Sequence, residues 1–226
     1  VGTALLFGLP AFTRNILMTV NNFSFIAFSN AITPPDFGSG PDQEFFSVAT
    51  GVFTQLNNVM SSMMRGISQG SNVFFAYFYA KNNYDKLKDG LKWLTIYLLI
   101  IELVLAVTIF PLIPALSGIL VTGDISIYGH DLFYAISSML SSTMVFGFLL
   151  TILGFLNSTK NIKASILSTF VNSVVVFFIV VPLMMSFTNW EVAIWSLTIT
   201  YAISFTIIFP TFCYMFKNKK FSNSNL

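Results

Sequence analysis

Residues 66–70 read Gly-Ile-Ser-Gln-Gly. This is the G-x-S-x-G spacing that in many hydrolases holds a nucleophilic serine on a sharp strand-to-helix turn. Downstream stand Asp85, Asp89 and Asp124, then His130, the chain's single histidine. A serine, an acid and a histidine are the parts of a proton relay, provided Ser68 and His130 come within hydrogen-bond reach. The elements that carry these residues decide whether they can.

Composition narrows those elements sharply. Of 226 residues, 55% are hydrophobic, 26 are phenylalanine and only 9% are charged, against about 25% charged in an ordinary soluble domain. Too little charge is present to cover a globular surface, so lipid must be the solvent for most of the chain. A net charge of +2 gives no reason to expect a nucleic-acid partner. The single Cys213 excludes an intrachain disulfide and a cysteine-based metal cluster, and no metal site is expected. The chain opens on valine, which leads us to expect that native sequence precedes residue 1.

A crossing of the bilayer needs about 20 mostly apolar residues. Six stretches qualify, approximately 4–28, 45–79, 91–116, 132–156, 162–185 and 192–216. The fold class expected is an all-α integral membrane bundle of six transmembrane helices. The second stretch is too long for one straight crossing, and its Gly66 and Gly70 would permit a kink or a close helix contact. Lysines alternate between loops. Lys81, Lys86 and Lys88 follow the second stretch, Lys160 and Lys163 the fourth, and Lys217, Lys219 and Lys220 the sixth. The intervening loops carry Asp36, Asp42 and Glu44, then Asp124 and Asp131, then Glu191, without a base. The positive-inside rule then places both termini in the cytoplasm of a multi-pass cell-membrane protein.

That topology separates the relay. At about 1.5 Å per helical residue, Ser68 lies roughly 20 Å inside the membrane from Lys81, and His130 belongs to a loop on the opposite face. With no strand before the pentapeptide, an enzyme is not expected.

The informative residues are then polar ones at membrane depth, each unfavourable unless paired or facing water. Gln55, Ser62 and Gln69 recur every seven residues, and Asn58, Arg65 and Asn72 follow each by three, so all six share one stripe of a helix. Arg14, Met18, Asn21 and Asn22 form a similar stripe in the first span; Ser165, Ser168 and Asn172 do so in the fifth. Serines in the fourth span, "ISSMLSST", fit interhelical hydrogen bonding. Glu102 is the only acid in mid-span. For Arg14 and Glu102 two roles stand open: a buried ion pair, with each other or with groups outside this chain, or a substrate or ion site. The candidate cavity residues are Arg14, Asn21, Asn22, Gln55, Asn58, Ser62, Arg65, Gln69, Glu102 and Asn172.

The order of these residues resembles the second half of a multidrug and toxic compound extrusion transporter. Pro10, Arg14 and Asn21-Asn22 in "GLPAFTRNILMTVNN", Gly66, Gln69 and Gly70 in the next helix, the turn "YFYAKNNYDKLK", and Asn157, Lys160 and Ala164 in "TILGFLNSTKNIKAS" carry the similarity. It covers nearly the whole chain and is most specific over the first 95 residues. The resemblance implies one six-helix lobe, the C-terminal one, that pairs with a second lobe around a cleft. It also implies alternating-access export of amphipathic, cationic drugs or toxic compounds as small-molecule substrates, in antiport driven by a proton or sodium gradient, with no organic cofactor. Sodium-coupled members carry carboxylates in the first or fourth span of this lobe, where this sequence has none. Two other classes compete: an exporter of lipid-linked sugars or polysaccharide, which would line its cleft with bases, and a six-helix substrate-binding subunit of a vitamin importer.

Overall fold

The computed structural model describes residues 2–31, 41–115, 129–159, 161–187 and 190–217, and among these helices joined by short turns are present without a strand. Helix α1 spans Gly2–Ala31 and α2 spans Pro41–Ala80. Helix α3, Tyr84–Ile109, ends in a 3₁₀ turn at Phe110–Leu112, where Pro111 lacks the N–H that would continue the ladder. Then come α4, Gly129–Ser158, and α5, Ile162–Met185. A four-residue α6, Trp190–Ala193, precedes α7, Ser196–Lys217. The loop expected to hold Asp124 falls outside the described residues.

The stretches 4–28, 45–79, 132–156 and 162–185 each lie within one helix, the third runs from α3 into the 3₁₀ turn, and the sixth crosses the break between α6 and α7; the ends differ for physical reasons. Helix α3 begins seven residues before its apolar stretch because Asn83 caps it: the side chain accepts from Lys86 N–H at 3.1 Å, and Asp85 stands in the first turn. Asn82, at φ 54°, makes the tight turn from α2. Helix α2 runs 40 residues without a break, about 60 Å at 1.5 Å per residue, twice the hydrocarbon thickness. Among the described residues four helices are long and apolar enough to cross a membrane: Tyr84–Ala115, Leu132–Ser158, Ile162–Met185 and Glu191–Tyr214. Helix α2 stays outside that group, as the amides and the arginine along it lower its hydropathy.

Helix α4 is the hub, packing on α2 most extensively and then on α7, with α3 and α5 also against it. Of its apolar stretch 78% is buried inside the bundle, against 17% for α3. Helix α3 therefore turns Leu99, Ile100, Leu103, Val104 and Val107 outward, as a lipid-facing helix must. Two apolar clusters fill the interior. One gathers Phe25, Phe53, Met60, Ile136, Met139, Val181 and Leu197; the other gathers Met64, Phe75, Leu98, Leu150, Phe155 and Phe212. Tyr201 packs against both, at the level where they meet.

Candidate functional site

Ser68 sits on unbroken helix, buried, and its Oγ donates to the Leu150 carbonyl of α4 at 3.0 Å. One turn later the Asn72 amide nitrogen, oriented toward its acceptors, donates to Gly154 O and Ser158 Oγ, each at 3.1 Å. Gly154 makes room, since a Cβ there would stand 2.9 Å from Ser68 Oγ and 2.7 Å from Asn72 Oδ1. The backbone of His130 lies in the first turn of α4, about 30 Å along the axis from Leu150. The pentapeptide is a helix seam, with no relay in reach. Gly66 and Gly70 face open space, so the close approach expected of them belongs to Gly147 and Gly154 instead.

The six-residue polar stripe of α2 divides. Gln55, Asn58, Ser62 and Gln69 are exposed along the lobe's surface, whereas Asn72 turns into the α4 seam. A seven-residue repeat drifts about 20° per repeat on a straight α-helix, which carries the end of the stripe around toward the neighbour. The residues turned inward come one position earlier: Asn57, Ser61 and Ser68.

Asn57 and Ser61 join the second stripe. Met18, Asn21 and Asn22 of α1, Asn57, Ser61 and Arg65 of α2, Phe146 of α4, Asn172 and Ser173 of α5, and Tyr201 of α7 line one crevice of about 30 Å³. A second, of about 10 Å³, shares Asn21, Asn22, Asn57 and Tyr201 and extends to Thr54 and Ser142. Each has room for roughly one water. Of the predicted cavity residues, Asn21, Asn22, Arg65 and Asn172 come together here. Sequence reasoning missed Asn57, Ser61, Ser173 and Tyr201.

A π-helical turn at Val171–Val176 shapes the crevice wall. The Phe177 N–H passes over Ser173 and reaches the carbonyls of Asn172 and Val174. With its nitrogen toward the carbonyls, the Asn21 amide donates to the freed Ser173 O at 2.9 Å and to Leu17 O at 3.1 Å. A backbone acceptor displaced from the α5 ladder is thus met by an amide of α1, which locks the two helices at the crevice.

Arg65 is folded along its own helix: Nε donates to Ser61 O at 3.1 Å, and Nη2 to Ser61 Oγ at 3.0 Å and Ser62 Oγ at 3.3 Å. Arg14 is buried and its Nε has no partner. The ion pair considered for Arg14 and Glu102 does not form. Glu102 is buried elsewhere, beside Gly147 of α4 and Met64, with Oε1 unpartnered. Of the span-four serines expected to join helices, Ser141 does so by its hydroxyl: its Oγ and Thr198 Oγ1 are 3.0 Å apart, and Thr198 also donates to the Ser138 carbonyl at 3.4 Å, whereas the Ser137 and Ser142 hydroxyls are buried without a partner.

No curated protein and no solved structure matches the chain. A family model described as MatE matches residues 48–184, more than half of the chain, from α2 through α5.

Proposed function

The chain belongs to the MatE family of transporters, and from that premise we propose that it is one lobe of an exporter of amphipathic organic compounds. It works by alternating access in the cell membrane, with both termini cytoplasmic, in antiport with protons or sodium ions. A second six-helix lobe, on the same polypeptide or a separate one, closes the cleft. The observation that carries this is the crevice among α1, α2, α5 and α7, where amides, hydroxyls and a guanidinium gather beside an exposed polar stripe. Polar groups at membrane depth are tolerated where they line a wet cavity. Substrate sites of such transporters lie near the bilayer midplane, between rocking halves. Lysines at the α2–α3 turn, with Trp93 and Tyr97 one to two turns further into the membrane, fit a cytoplasmic interface there.

Everted vesicles from cells expressing the chain test it, loaded with a fluorescent amphipathic dye while proton and sodium gradients are dissipated separately. Dye movement abolished by collapsing one gradient is the expected result. Movement indifferent to both would overturn the assignment.

A further inference from the structure

Among the described residues, no carboxylate pairs with either of the lobe's two arginines, Arg14 and Arg65. Helices α1, α5 and α7 contain no acid, α2 has none beyond Glu44, and α4 none beyond Asp131. The one mid-span acid, Glu102, is placed against Gly147 and Met64 and pairs with neither arginine. Arg65 satisfies three N–H groups on neutral oxygens of its own helix, which leaves its charge uncompensated. Arg14, 5% exposed and one helical turn before the crevice residue Met18, presents an unpartnered Nε. A guanidinium without a facing carboxylate in a low-dielectric setting is destabilising unless an anion comes beside it.

We infer that the crevice is an oxyanion subsite, taking the phosphate or carboxylate end of an amphipathic cargo. Arg65 supplies the charge at the crevice, Arg14 stands one turn from its wall residue Met18, and Asn21, Asn57 and Tyr201 frame the position. Asn172 Oδ1, buried and without a donor, suits the O–H of a protonated phosphate. About 30 Å³ admits headgroup oxygens only, so the apolar tail stays in the cleft between lobes. Guanidinium is the side chain best matched to such oxygens, through paired N–H donors. This inference rests on the export proposal for the same crevice and replaces the cationic cargo implied by family resemblance.

The test uses the full chain in phosphatidylcholine nanodiscs, titrated with dodecyl phosphate, inorganic phosphate and dodecyltrimethylammonium, with intrinsic tryptophan fluorescence as the readout. Dodecyl phosphate should bind, Arg65→Gln should weaken it about ten-fold or more, and Arg65→Lys should recover part of that loss. Inorganic phosphate binding as tightly would assign a free anion, and binding only of the alkyl ester would assign a headgroup; either supports the subsite. Asn172→Asp sets a carboxylate in the crevice that Arg65 lines and should abolish phosphate binding, which covers the case where Arg65→Gln does not fold. Preference of the unaltered chain for the ammonium probe, or unchanged phosphate binding in both variants, would overturn it. Gradient-independent dye movement alongside Arg65-dependent phosphate binding would remove the export proposal and leave the anion site standing.

Discussion

Polar side chains stand inside the helical bundle in two kinds of place here. Around Asn21, Asn57, Arg65 and Asn172, groups from four helices share a crevice, and several have partners: the Ser173 carbonyl for Asn21, the Ser61 and Ser62 oxygens for Arg65. Glu102 is alone, pressed between α3 and α4 with nothing to accept from or donate to at Oε1. Both regions hold an ionisable side chain, yet only the first offers room and a second layer of hydrogen bonds. A polar group in a bundle is tolerable when it is paired or wetted. The crevice meets that condition, and the Glu102 seam does not.

The largest effect should come from the seam. A methyl on Gly147 would land on Glu102 Oε1, so Gly147→Leu should force α3 from α4, lowering stability by about 1–3 kcal/mol or more. Thermal melting of the detergent-solubilised protein reads this, and Glu102→Ala in the same chain should restore part of the loss. Glu102→Leu alone sharpens the contrast: removing an unpartnered acid and filling its place should raise the melting temperature, by about 1–3 kcal/mol of equivalent stability. In the crevice the sign reverses. Asn21→Leu leaves the Ser173 carbonyl without its donor, and should destabilise by about 1–2 kcal/mol while slowing transport. The smallest change belongs to Ser68→Ala, which loses one interhelical hydrogen bond worth about 0.6 kcal/mol and should leave dye export intact, since Ser68 has no catalytic partners.

Much of the bundle was legible because hydropathy and length are linear signals. Four of the six apolar stretches lie within single helices, and the caps that shift helix ends, such as Asn83, are local chemistry. The crevice was only half legible. Asn21 and Asn172 declare themselves as amides in apolar helices, but Asn57 and Ser61 sit one position away from a more conspicuous stripe, and the azimuth of α2 depends on how α4 packs. Tyr201 resembles any aromatic in an apolar helix until the fold brings it between the two apolar clusters. The π turn, which frees the Ser173 carbonyl, has no signature in "VNSVVV". The isolation of Glu102 was invisible for a similar reason: pairing is a property of neighbours across helices, and no spacing along the chain encodes it.

The polar stripe of α2 and the outer face of α3 are both exposed, and the account says one meets water while the other meets lipid. Cysteine accessibility in intact membranes separates them most directly, after exposed Cys213 is changed to alanine. Gln55→Cys and Asn58→Cys should react with a water-soluble maleimide, whereas Leu103→Cys and Val107→Cys should not. Silent labelling at Gln55 and Asn58, or equal labelling on both helices, would contradict a water-lined transport face on α2.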